Sequence, residues 1–296
     1  MKKWLSLILA SLFVLTLAAC GGTDESKNNA SGNKEEKKEE QVIKIGAIPD
    51  QSATELNSNM ESVAKTLSEK TGMKVEFVPS VDYAALVTAF QRGEIHLAWF
   101  GGLTGVQARN LVPEAEAIAQ RPRDAEFKSV FITNDASINS LADLKGKTFT
   151  FGSESSTSGH LMPRYFLMEE GIDAAKDFDG QPNFSGSHDT TYKLVESGAF
   201  KAGALNIAVW ETAVAEKKVD TNKVRVFYTT PPYYDYNWTI NKMDGETKKA
   251  LKDALLSMTA EELEGLDMFA TDKFVETNNE NYQAIEKVAK ELKIIK

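Results

Sequence analysis

The chain has 296 residues, and its 34 Lys plus Arg against 43 Asp plus Glu give a formal charge of −9, which argues against the basic face of a nucleic-acid binder. One Cys rules out an internal disulfide and, with only three His, leaves few ligands for a structural zinc site. At 42% hydrophobic and 9% aromatic residues the chain buries an ordinary core, and its length suggests about two domains.

Lys2 and Lys3 precede an apolar run from Leu5 to Leu17, broken only by Ser6, Ser11 and Thr16 and followed by Ala18-Ala19-Cys20. The run is shorter than the roughly 20 apolar residues of a membrane span and reads as an export signal. The segment Leu17-Ala18-Ala19-Cys20 resembles the lipobox of bacterial lipoproteins. It implies a signal over 1–19 and a lipidated Cys20 as an anchor on the extracytoplasmic face of the membrane. The plain alternative is a secretory signal cleaved after Ala19, with Cys20 incidental. Residues 21–41 contain no Val, Ile, Leu or aromatic residue, so 20–41 is predicted to be a solvated tether.

From Val42 the pattern alternates. Residues 42–48 read as a strand ended by Pro49, and Leu56, Met60, Val63 and Leu67 as a helix stopped at Gly72. Residues 75–78 form a strand. Tyr83, Leu86, Val87 and Phe90 mark a helix that Asp82 caps. Residues 95–100 are a strand, followed by Gly101-Gly102 and a short helix through Val106 and Leu111. This alternation implies a parallel sheet flanked by helices. A second block repeats it, with strands at 129–133, 148–151, 202–206 and 224–228. Its helices fall near 141–147, 163–170, 189–196 and 207–217. Residues 229–241 read as extended, and the last fifty as mainly helical. Extended crossings near 130–135 and 230–238 suggest two α/β lobes around a hinged cleft. The boundaries are 42–132 and 234–296 for the first lobe and 133–233 for the second. One larger α/β domain is the alternative.

Four segments hold candidate chemistry. Ser153 to Gly159 lies between a strand and a helix, where hydroxyls, free N–H groups and the helix terminus suit an oxyanion without Lys or Arg; a helix cap with a serine loop is the alternative. In Ser185-Gly186-Ser187-His188-Asp189 the His sits where it can donate to an anion, or it is a structural hydrogen-bonder. Trp99-Phe100-Gly101-Gly102 fits a cleft wall or core aromatics. Tyr233-Tyr234-Asp235-Tyr236 fits a cleft rim or a crossover. There is no G-x-x-x-x-G-K-[ST], G-x-S-x-G or H-E-x-x-H, though a triad assembled in space stays open.

Taken in order, Ile45-Gly46, Tyr83, Gly93 to Gly101, Leu144-Lys145-Gly146-Lys147, Ser155 to Gly159 and Ser185 to Asp189 resemble the phosphate/phosphite/phosphonate-binding family of ABC-transporter solute-binding lipoproteins. The resemblance implies a two-lobed, α/β, type II periplasmic-binding-protein fold with a ligand cleft. It implies an oxyanion clasp of Ser156, Thr157, Ser158 and His188, with Ser155, Tyr83, Phe100 and Asp235 as further ligand-binding candidates. Where Phe100 stands the family often has Tyr. Aminoalkylphosphonate binders carry carboxylates for the ammonium, but residues 206–210 are neutral and only Asp235 remains. The ligand is therefore predicted to lack an amine. The segments 48–56 and 100–105 also resemble a subgroup proposed to carry selenate, so selenate and sulfate are alternatives. The implied partners are an ABC permease and the membrane through the lipid anchor, with no cofactor and a monomeric state. The mechanism is binding rather than turnover. A phosphate-ester enzyme is disfavoured for want of a metal or nucleophile motif, and a signalling rather than transporting receptor stays open.

Overall fold

The computed structural model describes residues 42–296, and the signal, Cys20 and the tether lie outside the described residues. Strand β1 (Ile43–Ala47) gives way at Pro49 to helix α1 (Ala53–Thr71). Gly72 ends that helix at a φ of 70°, a conformation natural to a residue without Cβ. Strand β2 (Val75–Phe77) is followed by α2 (Tyr83–Gln91), where the Asp82 carboxylate accepts the Ala85 N–H at 2.7 Å. Then come β3 (Leu97–Phe100), α3 (Gly102–Leu111) and β4 (Glu116–Gln120). The second set comprises β5 (Ser129–Thr133), β6 (Phe149–Phe151), α4 (Met162–Glu169), β7 (Asn183–Phe184), α5 (His188–Glu196), β8 (Ala202–Asn206), α6 (Ile207–Ala215) and β9 (Arg225–Thr229). The chain returns through β10 (Asn237–Ile240), α7 (Gly245–Leu256), α8 (Ala260–Leu263), β11 (Val275–Glu276) and α9 (Gln283–Glu291).

These strands make two sheets, ordered β11-β4-β10-β3-β1-β2 and β7-β6-β8-β5-β9. In the first, β1 runs parallel to β2 and β3, but β10 is antiparallel to both β3 and β4. In the second, β6 is parallel to β7 and β8, while β5 is antiparallel to β8 and β9. The sheets are therefore mixed, a correction to the parallel sheet that alternation implies. Alternation tracks only strands joined by crossover helices. A strand entering straight from a crossing segment meets the sheet running the other way.

The crossings pair with each other. Phe127 and Tyr233 exchange backbone hydrogen bonds of 2.8 and 2.9 Å, and the Asp235 N–H donates to the Asp124 carbonyl at 3.0 Å. Arg121 is fully buried there and donates to Asp124 from Nε at 2.8 Å and Nη2 at 2.6 Å, so its charge is matched where it lies. Period-two alternation sorts the side chains. Along β5, Val130 and Ile132 join a core with Tyr192 and Trp210, and Phe131 joins one with Phe149 and Leu144. Along β3, Trp99 packs on Tyr236, Trp238 and Phe269 while Phe100 meets Phe90 of α2.

The C-terminal ends of β1, β3, β6, β7 and β8 carry the residues that matter next. Such carboxyl ends are where open α/β sheets present ligand sites.

Candidate ligand-binding site

Beyond β6 the chain turns sharply at Ser156, whose hydroxyl accepts the Gly159 N–H at 2.9 Å. One π-type turn, Thr157–Leu161, then leads into α4. A Cβ on Gly159 would stand 3.0 Å from His188 Cε1 and 3.0 Å from Ser156 Oγ, so only glycine lets turn and imidazole come this close. The next contacts reach the first sheet. Thr157 Oγ1 accepts the Leu103 N–H at 2.9 Å, and Asp235 Oδ1 accepts the Gly102 N–H at 2.9 Å. The N-terminus of α3 is thus held between a threonine of one half and an acid on the crossing.

His188 opens α5. Its backbone N–H donates to the Asp50 carbonyl at 2.9 Å, and its Nδ1 accepts the Asn206 N–H at 3.3 Å. An accepting Nδ1 leaves the proton on Nε2. Burial lowers the His188 pKa to about 4, against the opposing charge of Asp189, so the ring is a neutral donor near pH 7. Asp50 Oδ2 accepts the Tyr236 hydroxyl at 2.6 Å, and the Tyr236 hydroxyl oxygen in turn accepts from Asn206 Nδ2 at 2.9 Å.

Among the described residues eight buried side-chain polar atoms lack a partner, and four of them belong to this neighbourhood: Tyr83 OH, His188 Nε2, Asp50 Oδ1 and Asp235 Oδ2. Native interiors leave few such atoms unpaired, so a cluster of them points to a ligand. Burial is the main cause that raises the Asp235 pKa to about 7, against the hydrogen bond from the Gly102 N–H and the nearness of the Thr157 and Ser158 hydroxyls. Burial likewise raises Asp50 to about 6, with Tyr236 and Arg121 opposing. Burial and then the charge of Asp50 push the Tyr83 phenol well up, Ser156 being near enough to oppose them.

Of the candidates read from sequence, Ser156, Thr157, Ser158, His188, Tyr83 and Asp235 come together and are buried. Phe100 is equally buried but packs edge-on against Phe90 with ring centroids 5.4 Å apart, on the far side of β3 from Trp99. Ser155 is half-buried and lines a surface hollow with Ala84, Thr88 and Lys290. Tyr236 and the N–H groups of Gly102 and Leu103, which fall in two of the candidate segments, also join the site, as does Asp50, which was not among the candidate residues. The signal for Asp50 was an acid directly after Pro49 at the end of a buried strand.

Two mixed α/β sheets joined by paired crossings, with donors and acids converging at the strand ends, define a solute-binding protein of the type II periplasmic fold. Residues 45–282 match the family described as "ABC transporter, phosphonate, periplasmic substrate-binding protein". A probable ABC transporter phosphite binding protein, PhnD1, of Prochlorococcus marinus (strain MIT 9301) is 41% identical over 271 residues, covering 86% of this chain and 91% of that one. The structure of PhnD1 in complex with methylphosphonate superposes with a TM-score of 0.82 at 41% identity, over 86% of this chain and 99% of that one. The phosphate-import protein PhnD of Mycolicibacterium smegmatis is 28% identical over 92% of this chain and 83% of its own length. The chain belongs to the phosphonate-type substrate-binding family of ABC transporters, as the motif resemblance implied, and is a solute-binding component of such a transporter.

Proposed function

We propose that the site encloses one small tetrahedral oxyanion of phosphorus (a phosphonate, phosphite or phosphate) as its protonated monoanion and presents it to an ABC permease without turnover. The observation that carries this is the cluster of buried, partnerless polar atoms. Ser156, Thr157 and Ser158, Tyr83 OH and neutral His188 Nε2–H supply donors, while Asp50 Oδ1 and Asp235 Oδ2 accept. A phosphorus oxyanion retains an O–H near neutral pH and can donate to an acid; sulfate and selenate cannot, which disfavours that alternative. PhnD1, a probable phosphite binding protein whose structure holds methylphosphonate, supports the same class. No acid stands at 206–210, where the resemblance calls for one in aminoalkylphosphonate binders, and this favours a ligand without an amine. No covalent step is assigned to any of these groups.

The working form is a monomer tethered through acylated Cys20, supported by the Leu-Ala-Ala-Cys sequence and the coreless segment after it. Among the described residues no helix is long and apolar enough to cross a membrane. Cys20→Ser should release the protein from membranes into the soluble fraction, whereas unchanged membrane association would place the anchor elsewhere. Ligand class is tested by calorimetry and thermal unfolding of protein lacking residues 1–19. The panel is phosphate, phosphite, methylphosphonate, 2-aminoethylphosphonate, sulfate and selenate. A true ligand at 100 times its Kd should add about 2.7 kcal/mol. Sulfate binding as tightly as every phosphorus anion would reject the protonated-oxyanion site. Preference for 2-aminoethylphosphonate over all amine-free anions would reject the amine-free ligand.

A further inference from the structure

Next to the clasp in sequence stands His160, which is only 5% exposed. Its Nδ1 lies 2.7 Å from the Glu154 carbonyl. A carbonyl only accepts, so Nδ1 carries the proton and Nε2 is a bare lone pair. Burial lowers the His160 pKa to about 4, against the bond to Glu154, and the charge of Arg164 adds to the lowering. The ring is therefore neutral near pH 7, and its free nitrogen would repel an oxyanion rather than hold one. The imidazole meets Phe151 edge-on with centroids 5.0 Å apart and Phe184 at 4.8 Å and 88°. His160 thus packs on the aromatic core of the second sheet, and its one donor reaches back along the loop.

That loop is pinched at its base, where the Gly152 N–H donates to the Gly159 carbonyl at 2.8 Å. A Cβ on Gly152 would stand 3.2 Å from Gly159 Cα, so the two arms lie as close as glycine allows. Glu154 is exposed at the far end of the first arm. Beyond it Ser156, Thr157 and Ser158 follow one another into the π-type turn, where the Leu161 N–H reaches the Ser156 carbonyl at 2.9 Å. Such turns are rarer than α-helical ones, and each of their hydrogen bonds spans one residue more. A wide turn needs fixing at both ends to keep three successive donors aimed. Ser129 Oγ fixes one end by donating to the Ser158 carbonyl at 2.7 Å. The His160 to Glu154 bond fixes the other, tying the exposed arm to the core.

We propose that His160 is a positioning residue for the oxyanion clasp: its Nδ1–H straps the 153–155 arm to the start of α4 and so presets the donors of Ser156, Thr157 and Ser158. This rests on the oxyanion function proposed above. His160 itself touches no ligand. With the strap in place the donors are ordered before the anion enters, and binding does not have to order them. Ring and strap are separable. Packing between Phe151 and Phe184 needs the shape of the ring, whereas the strap needs one N–H on an atom bonded to Cγ.

The test is calorimetry with methylphosphonate and with phosphite, and thermal unfolding without ligand, on the parent, His160→Phe and His160→Asn. His160→Phe keeps a ring on the aromatic core and removes the donor. Glu154 is exposed, so its freed carbonyl can take water. His160→Asn gives up the ring but bonds an amide nitrogen to Cγ, as Nδ1 is bonded. The phenylalanine variant should bind about tenfold more weakly than the parent, and the asparagine variant within about threefold of it. Unfolding should run in the opposite order, the phenylalanine variant melting above the asparagine variant, which leaves the ring's space unfilled. A residue acting through packing alone would lower stability and affinity together. His160→Leu, which also lacks the donor, takes the place of His160→Phe should that variant not fold. Parent-like affinity in a folded variant without the donor overturns the strap, as does an equal loss in the phenylalanine and asparagine variants. A parent that binds no phosphorus oxyanion overturns the function and the strap with it, and is distinct from the strap's own failure, in which the parent binds.

Discussion

The turn at Ser156–Gly159 and the acids Asp50 and Asp235 belong to the same proposed site but are built in different ways. The turn is local. Its donors come from successive residues between β6 and α4, and they exist whether or not the two sheets approach each other. The acids are a product of approach. Asp50 ends β1, Asp235 sits on the second crossing, and both meet the turn only through contacts such as Thr157 to the Leu103 N–H and His188 to the Asp50 carbonyl. Donors of this kind accept any tetrahedral anion. On the function proposed above, the acids add a demand for a proton on the ligand, which makes affinity mostly a matter for the second-sheet half and selectivity for the first-sheet half.

That division is broken most directly at Asp235. Asp235→Asn replaces an acceptor of negative charge by an amide that can turn its N–H to the ligand. Selectivity for methylphosphonate over sulfate should then fall by about a hundredfold, since a buried mismatch of polar groups costs about 1–3 kcal/mol and more when charge is involved. The measurement is the ratio of the two affinities by calorimetry. A ratio within a few fold of the parent's would mean that Asp235 does not read the ligand's proton.

The donor half should respond differently. Thr157→Ala and His188→Ala each remove a donor to a charged ligand, worth roughly 1.5–3 kcal/mol, so affinity should drop about ten- to a hundredfold for phosphorus and sulfur anions alike. Parent-like affinity in both folded variants would reject the clasp. The pH profile separates the halves further. His188, lowered to about 4, stays neutral across the working range and contributes no inflection near 6.5. Asp235 and Asp50 are raised to about 7 and 6, so their neutral forms are favoured in the fold. A site that needs one proton between acid and ligand should therefore lose affinity as pH rises through 7, when acid and ligand are both ionised. The same sign holds for stability without ligand: the contribution of these two acids is fully present below the ordinary carboxylate range and is lost as pH rises toward 7. Affinity that instead rises above pH 7 would show that the bound anion is fully deprotonated.

How much of this was legible in the sequence follows the same split. The serine turn and His188 were readable because strand, loop and helix terminus are written contiguously. The two-block alternation gave the helices and most strands, and the motif order gave the type II fold. β4 and β11 were not read: Glu116–Gln120 contains a single β-branched residue, and Val275–Glu276 is two residues long. The antiparallel strands followed from the crossings, which carry no periodic signal. Asp50 and Tyr236 pair across 186 residues of chain, and nothing local to either marks the contact.

The smallest effect is expected at Phe100. By resemblance this position belongs to the site and calls for a tyrosine hydroxyl. In the fold its ring lies edge-on to Phe90 beneath α2, fully buried, while the adjacent Gly101 is the residue that meets Thr157 and Asp235. Side chains alternate along β3, so Trp99 and Phe100 face opposite ways, and it is the backbone turn after them that reaches Asp235 and Thr157. A hydroxyl added by Phe100→Tyr would enter an apolar core without a partner, costing about 1–3 kcal/mol of fold stability. Affinity for methylphosphonate should stay within about twofold of the parent. Thermal unfolding and calorimetry on the same sample check both halves of the expectation. A clear gain in affinity would show that the Phe100 side chain turns toward the ligand when one is bound, and would move this position from the core of the first sheet to the wall of the site.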